Sequence, residues 1–161
     1  MKEKLKIMFV CMGNICRSPL AHAVFEDIVK KDGAENAFEI ESSGTINYHV
    51  GELPDARMRE TARRHGITMS HRGRQLKKAD LDDYDMILAM DKENLANIRK
   101  LARSRDQLDR IQLFRNFDPQ AKGEAEVPDP YYGGAEGFEN VFEIVMRTSQ
   151  HLLTALKSQK D

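Results

Sequence analysis

Residues 10–19 read Val10-Cys11-Met12-Gly13-Asn14-Ile15-Cys16-Arg17-Ser18-Pro19. The short apolar run 5–10 leads into this stretch, and a segment with apolar residues at helical spacing, 20–29, follows it. Such a run indicates a buried strand, and such a spacing indicates a helix. The stretch is therefore predicted to form a loop that joins a strand to a helix.

The residue types in this loop indicate a site for a phosphate-sized anion. Ser18 followed by Pro19 predicts an N-cap and a first helical residue, so unpaired backbone N–H groups and the positive end of a helix dipole face the loop. Gly13 and Asn14 tolerate a positive φ, which lets successive N–H groups point into one concavity. Arg17 adds a guanidinium that can hold two phosphate oxygens at once.

Cys11 stands at the start of this loop. A thiol near a helix N-terminus and an arginine is stabilised as the thiolate, which is the nucleophilic form of cysteine. The alternative interpretation is a structural cysteine, since cysteine is among the residues most often buried. The strand before the loop and the helix after it favour the nucleophile.

The length and composition of the chain predict a single domain that spans residues 1–161. A chain of 161 residues with 40% hydrophobic residues can bury one sizeable core. Because 25 Lys and Arg balance 26 Asp and Glu, no overall attraction to nucleic acid or to an anionic membrane is expected. We predict no membrane span, signal peptide or disulfide framework, and hence a cytoplasmic protein.

The pattern along the rest of the chain predicts an α/β fold. Strands are predicted at 5–10, 37–43, 85–90 and 111–114, with helices after 19 and at 55–64, 91–101 and 138–156. Asp55 and Asp91 are predicted to cap two of these helices, and Asp91, at the carboxyl end of a strand, is expected near the site. The loop 45–54 that follows the second strand is expected to line a ligand crevice. Alternating strands and helices predict a parallel sheet with helices on both faces. Ligands of such folds bind outside the carboxyl ends of the strands, where the Cys11 loop lies.

Several motifs together resemble the low-molecular-weight protein tyrosine phosphatases. The run Cys11 to Pro19 looks like the active-site loop of that family. Later blocks match in the same order: Ser42-Ser43-Gly44-Thr45, His49-Val50-Gly51-Glu52, Ser70-His71, Met90-Asp91 and Asp129-Pro130-Tyr131-Tyr132. The resemblance implies a phosphotyrosine protein phosphatase I-like fold, a single-domain three-layer α/β/α sandwich whose four-stranded parallel sheet has the order 2-1-3-4.

Two Asp-Pro pairs compete as the source of a proton donor for catalysis. Asp129 precedes Tyr131, Tyr132 and two glycines, a composition typical of a mobile aromatic loop that can fold over an aryl substrate. Asp129 also matches the acid of the family that the chain resembles. Asp118 is therefore interpreted as a turn residue.

The resemblance implies a catalytic set of three residues and a mechanism. Cys11 would form a phosphocysteine intermediate, Arg17 would bind the phosphate, and Asp129 would act as general acid and then as general base. The enzyme would hydrolyse phosphotyrosine in protein substrates, and small aryl phosphates, without a metal or any other cofactor. Inorganic phosphate would be its product.

Further site residues follow from the same resemblance. Those expected to bind substrate are Met12, Gly13, Asn14, Ile15, Cys16, Ser18, Tyr48, Tyr131 and Tyr132. The Ser18 hydroxyl would stabilise the thiolate leaving group, and Tyr48 would lie on the rim of the pocket, where many members carry Trp. His71 would steady the loop through Asn14. From the residues alone, Tyr48 could instead cover the sheet and His71 could be a surface histidine.

Cys16 and His22 leave other interpretations open. Cys16 either packs beneath the loop or traps an oxidised Cys11 as a reversible disulfide, which would make the site redox-sensitive. We predict no metal site, since Cys11, Cys16 and His22 lack the second cysteine pair of a usual zinc set. His22 is expected on the surface of its helix.

Three other functions remain as alternatives. Protein arginine phosphatases resemble this family but typically carry Thr where this chain has Ile15, whose larger apolar side chain favours a flat phenyl ring. Arsenate reductases of the same fold need a relay of further cysteines. A phosphotyrosine-binding module of a different class would lack the nucleophile or the acid. A monomer is expected, with Tyr131 and Tyr132 available for weak self-association.

Overall fold

The computed structural model describes residues 4–130 and 134–158. Its strands are β1 (Leu5–Cys11), β2 (Phe38–Gly44), β3 (Met86–Ala89) and β4 (Ile111–Leu113). Its α-helices are α1 (Arg17–Lys31), α2 (Ala56–Arg64), α3 (Asp80–Asp83), α4 (Lys92–Arg99), α5 (Arg105–Asp109) and α6 (Gly134–Ser158). Within these described ranges, no helix combines the length and the apolar character needed to cross a membrane.

The four strands form one parallel sheet in the order β2-β1-β3-β4. On one side β1 pairs with β2, from Leu5 opposite Phe38 to Cys11 opposite Gly44. On its other side β1 pairs with β3. The predicted parallel sheet and its order are confirmed, and β2 lies at an edge. Because parallel strands end at one edge of the sheet, the loops after Cys11, Gly44 and Ala89 meet there.

The central strand β1 is buried on both faces. The side chains of Ile7 and Phe9 join a core with residues of α1, α2 and α6, whereas Met8 and Val10 join a second core with residues of α3 and α4. Consecutive strand residues point to opposite faces, so one apolar run contributes to both cores. The predicted three-layer α/β/α arrangement is therefore confirmed.

Two short helices and several element boundaries differ from the sequence prediction. The helices α3 and α5 have 4 and 5 residues, too short for a helical period to show in the sequence. Helix α6 begins at Gly134 rather than at 138. Asp55 and Asp91 cap α2 and α4 through their carboxylates, as predicted.

Asp118 joins α6 to the segment that follows β4. Its side chain is fully buried and accepts hydrogen bonds from Arg147 Nε at 2.8 Å and Arg115 Nε at 2.9 Å. It also accepts from the Gln120 N–H at 2.9 Å, which is the turn role that the sequence predicts. The hydrogen bonds from Arg147 hold the pKa of Asp118 far below its usual value, against the opposing effect of burial.

We expect Asp118→Asn to lower the free energy of unfolding by about 3–5 kcal/mol at pH 7, because it removes the charge that two partly buried guanidinium groups face. Urea denaturation measures the change. The matched control is Asp109→Asn, since Asp109 is largely exposed and pairs with Arg105 in the same helix. That control should cost less than about 1 kcal/mol.

The difference in free energy of unfolding between wild type and Asp118→Asn should also depend on pH, which gives a second test. The pKa of Asp118 is lower in the folded chain than its usual value of 3.8. The stabilisation is therefore complete above the usual pKa and is lost as the pH falls towards the folded-state pKa. The stability gap between wild type and Asp118→Asn should narrow below about pH 4. A gap that stays constant down to pH 2 would contradict this role.

Candidate active site

The loop between β1 and α1 turns sharply at Asn14. Cys11 is the last residue of β1, and Arg17 is the first residue of α1. Asn14 has a φ of 57°, and among the described non-glycine residues it alone has a positive φ. Gly13 does not share this conformation, so Asn14 provides the left-handed turn that the sequence assigned to either residue.

Two hydrogen-bond donors approach the Cys11 sulfur. The Asn14 backbone N–H donates to Sγ at 3.3 Å, and Ser18 Oγ lies 3.0 Å from Sγ. The Asn14 side-chain NH₂ donates to Ser18 Oγ at 2.8 Å, so the Ser18 hydroxyl proton is available to the sulfur or to the Ser43 carbonyl oxygen at 3.4 Å. The nearer acceptor is the sulfur. Both donors stabilise negative charge on Sγ.

The prediction that Ser18 is the N-cap of the first helix is wrong. Helix α1 begins at Arg17, its N-cap residue is Cys16, and no side chain among the described residues caps it. The Ser18 hydroxyl binds Cys11, Asn14 and Ser43 instead of the helix's own N–H groups. A serine placed between a candidate nucleophile and a helix can bind the nucleophile or cap the N–H groups of the helix. The fold shows which of the two it does.

Two hydrogen-bond acceptors hold the Arg17 guanidinium. Its Nη1 donates to Asp91 Oδ2 at 2.9 Å and to the Val127 carbonyl oxygen at 2.9 Å. Asp91 uses its other oxygen, Oδ1, to cap α4 through the Asn94 N–H at 2.7 Å. The sequence placed Asp91 near the site as a capping residue. The structure adds that the same carboxylate orients the guanidinium.

A cleft of about 550 Å³ opens above the loop. It brings together the three predicted catalytic residues, Cys11, Arg17 and Asp129. The other residues lining it are Met12, Gly13, Ile15, Cys16, Ile46, Tyr48 and His49. Tyr48 is 78% exposed, which agrees with the predicted position at the rim. Tyr131 and Tyr132, predicted to bind substrate, lie outside the described residues.

Ile46 and His49 are lining residues that the sequence did not assign to the site, although His49 begins one of the blocks that match the family. Their segment continues β2 and binds the loop backbone, with the Thr45 and Ile46 N–H groups donating to the carbonyl oxygens of Cys11 and Met12. Gly44 permits this approach, because a Cβ there would lie 2.7 Å from the Met12 oxygen. The prediction that the 45–54 loop lines a ligand crevice was the available signal.

The predicted contact of His71 with Asn14 is wrong. Within residues 4–130 and 134–158, Asn14 Oδ1 accepts from the Arg74 N–H at 3.0 Å, and no hydrogen bond joins it to His71. His71 Nδ1 lies instead 3.2 Å from Glu41 Oε1. Burial and the neighbouring His22 hold the pKa of His71 below its usual value. The residue that binds Asn14 from this loop is therefore Arg74.

The prediction that His22 lies on the helix surface is also wrong. The residue is only 7% exposed, and its Nδ1 lies 3.0 Å from Ser42 Oγ. Its ring stands 4.7 Å from that of His71, centroid to centroid. The side of α1 that carries His22 packs against the edge strand and the loop that bears His71, a long-range neighbourhood that helical spacing does not reveal.

A family model described as low molecular weight phosphotyrosine protein phosphatase matches residues 6–161. The chain belongs to this family. A low molecular weight phosphotyrosine protein phosphatase from Gallus gallus is 41% identical over 152 residues, which are 94% of this chain and 95% of the relative. The predicted membership in a hydrolase family is thereby confirmed.

Solved structures of related proteins share the fold. A protein tyrosine phosphatase from Entamoeba histolytica has a TM-score of 0.91 and 33% identity, over 98% of this chain and 100% of that one. A Drosophila arginine phosphatase has a TM-score of 0.87 and 30% identity, over 95% and 98% of the two chains. The low molecular weight phosphatase fold is thus found in proteins named for two different substrates.

The position of Asp91 leads to a test of how Arg17 is held. We expect Asp91→Asn to lower kcat/KM for para-nitrophenyl phosphate about 10- to 100-fold, because the guanidinium loses its charged partner and its fixed position. Asn is as good an N-cap as Asp, so α4 should keep its stability. Asp91→Ala should lose about 1 kcal/mol of stability in addition.

The matched control removes a helix cap elsewhere. Ser104 Oγ accepts from the Gln107 N–H at 3.2 Å at the start of α5. Ser104→Ala should therefore lose about 1 kcal/mol of stability and keep its kcat/KM. If Asp91→Asn also kept its kcat/KM, the assigned role of Asp91 would be contradicted.

Proposed function

We propose that this chain is a protein tyrosine phosphatase that hydrolyses phosphotyrosine through a phosphocysteine intermediate on Cys11. One observation carries the proposal: the Cys11 sulfur receives the Asn14 N–H and the Ser18 hydroxyl in a cleft that Arg17 and Asp129 also line. A nucleophile, an oxyanion-binding group and a proton donor are what the reaction requires.

In the first step, the Cys11 thiolate attacks phosphorus. The S–P bond forms as the P–O bond to the tyrosine phenol breaks, and Asp129 gives its proton to the departing oxygen. Loop N–H groups and the Arg17 guanidinium hold the three equatorial oxygens, whose charge is spread in the transition state. Since Arg17 is already held by Asp91 and Val127, little reorganisation is needed.

In the second step, water attacks the phosphocysteine. Asp129, now a carboxylate, takes a proton from the water as the P–O bond forms and the S–P bond breaks. Inorganic phosphate leaves, and Cys11 returns to the thiolate. The Ser18 hydroxyl, 3.0 Å from Sγ, supports this step because it can donate to the sulfur as negative charge returns there.

The shape of the cleft favours an aryl phosphate. Ile15, Ile46 and Tyr48 line the space in front of the loop, and an apolar lining suits a phenyl ring. Serine phosphate has no ring to pack against this lining, so we expect it to be a poorer substrate. Substrates would be phosphotyrosine-containing proteins, with inorganic phosphate as product.

Arginine phosphatase activity is the second candidate. The likeness to the Drosophila arginine phosphatase, at 30% identity, supports it because the two chains share the fold over nearly their full lengths. Ile15 argues against it, since an apolar side chain at that place offers no hydrogen bond to a guanidinium. Arsenate reduction has less support, because the chain holds only two cysteines.

Release of phosphate from phosphotyrosine, phosphoarginine and phosphoserine tests the proposal. We expect phosphotyrosine to be hydrolysed fastest, and a chelator to leave the rate unchanged, because each proposed step uses only water and groups of this chain. A preference for phosphoarginine would favour the second candidate. Turnover of none of the three would indicate a binding module.

Two variants in the same assay separate the proposed roles. Cys11→Ser should abolish turnover. Asp129→Asn should lower kcat/KM, which reports formation of the phosphocysteine, by about 10²–10⁴-fold on phosphotyrosine, the usual contribution of a general acid, and by less on para-nitrophenyl phosphate, whose leaving group needs no proton. Equal losses on both substrates would contradict the role of Asp129. Asp106→Asn, an exposed substitution in α5, serves as the control.

A further inference from the structure

Three side chains converge outside the catalytic cleft, each from a different part of the fold. His22 comes from α1, Glu41 from β2, and His71 from the segment between α2 and α3. Each offers one ligand atom, and the three atoms lie within 4.8 Å of one another. Two imidazoles and one carboxylate are a common ligand set for a transition-metal ion.

The spacing of the ligand atoms fits zinc. His71 Nδ1 lies 3.2 Å from Glu41 Oε1, and His22 Nδ1 lies 3.9 Å from the same oxygen. Ligand atoms at about 2.0–2.1 Å from a tetrahedral zinc ion are about 3.4 Å apart. Small rotations of the side chains would therefore bring all three to bonding distance, with a fourth position left for water.

The hydrogen bonds around His22 direct one of its nitrogens to the centre of the cluster. Its Nε2 lies 3.3 Å from Glu26 Oε2, which can accept the Nε2–H. The Nδ1 lone pair then faces Glu41 and the Ser42 hydroxyl. Histidines that bind metals usually donate their other ring N–H to a carboxylate in this way.

The surroundings of His71 and Glu41 also suit a cation. The His71 nitrogen that faces Glu41 is Nδ1, and the His71 side chain is only 19% exposed. Arg74 Nε lies 3.9 Å from Glu41 Oε2, whereas Oε1 accepts the Ser42 N–H at 3.0 Å and faces both imidazoles. A surface cavity of about 250 Å³, lined by both histidines and Glu26, provides a path for the ion.

We propose that His22, Glu41 and His71 form a binding site for a divalent transition-metal ion, with Zn²⁺ as the ion that their ligand types and spacing fit best. The site is separate from the cleft and does not depend on the proposed function. It would join α1, β2 and the loop that carries Arg74, which are the elements behind the Cys11 loop. Ser43, two residues after Glu41, contacts Ser18 at the start of α1, and Arg74 contacts Asn14 of that loop.

Zn²⁺ titration against a competing chromophoric chelator tests the site. The protein is the Cys11→Ser, Cys16→Ser double variant, kept with a phosphine reductant, so that neither thiolates nor a thiol reductant bind zinc. We expect one ion per chain. His22→Gln, Glu41→Gln and His71→Gln, each made in this background, should weaken the affinity at least tenfold, since even outer-shell substitutions cost about 10–100-fold.

The matched control is His151→Gln in the same background. His151 is an exposed histidine on α6 whose Nδ1 lies near the Arg147 carbonyl oxygen. This substitution should leave the zinc affinity unchanged. The midpoint of thermal unfolding, Tm, is measured for every variant without zinc, to show that each one folds.

Two measurements do not depend on the ligand variants folding. With zinc at 100 times its Kd, the Tm of the Cys11→Ser, Cys16→Ser double variant should rise by about 5–10 °C. Co²⁺ should give the intense visible absorption of a low-coordinate nitrogen and oxygen site. Any one of three results would overturn the proposal. These are no saturable zinc binding, a zinc affinity of His22→Gln equal to that of the double variant that keeps His22, or an octahedral Co²⁺ spectrum with no rise in Tm.

Discussion

The site depends on the conformation of one residue, Asn14. Its left-handed backbone turns an N–H towards the Cys11 sulfur, while its side chain donates to Ser18 and accepts from the Arg74 N–H. A residue with positive φ is held only when its surroundings fix it, and here both ends of the amide are bound. Through these bonds, the position of the sulfur depends on helix α1 and on the loop beyond α2.

The parallel sheet brings the other site residues together at one edge. Strands β1, β2 and β3 end at the same edge, so the residues that follow them meet there although they are far apart in sequence. Asp91 follows β3 and holds Arg17, and the segment after β2 binds the loop backbone. The same packing brings His22 and Glu41 together behind the site, where we propose a metal ion.

Much of this arrangement could be predicted from local sequence signals. Local residues are enough to predict three features: the apolar strand β1, the anion-binding loop in the Cys11 to Pro19 motif, and the two aspartates that cap helices. The errors arose where a side chain has partners distant in sequence. Ser18 looks like an N-cap but binds the sulfur, and His22 looks exposed but meets β2 and His71. Short helices such as α3 leave no period to detect.

The central claim is that phosphate passes through the Cys11 sulfur, and trapping the intermediate tests it most directly. Wild-type protein is mixed with phosphotyrosine, quenched within milliseconds, and mapped by mass spectrometry under conditions that preserve thiophosphates. The account predicts one phosphate on the peptide that carries Cys11, and more of it in Ser18→Ala, in which the second step is slowed. Full turnover with no phosphate on that peptide in either protein would contradict the account.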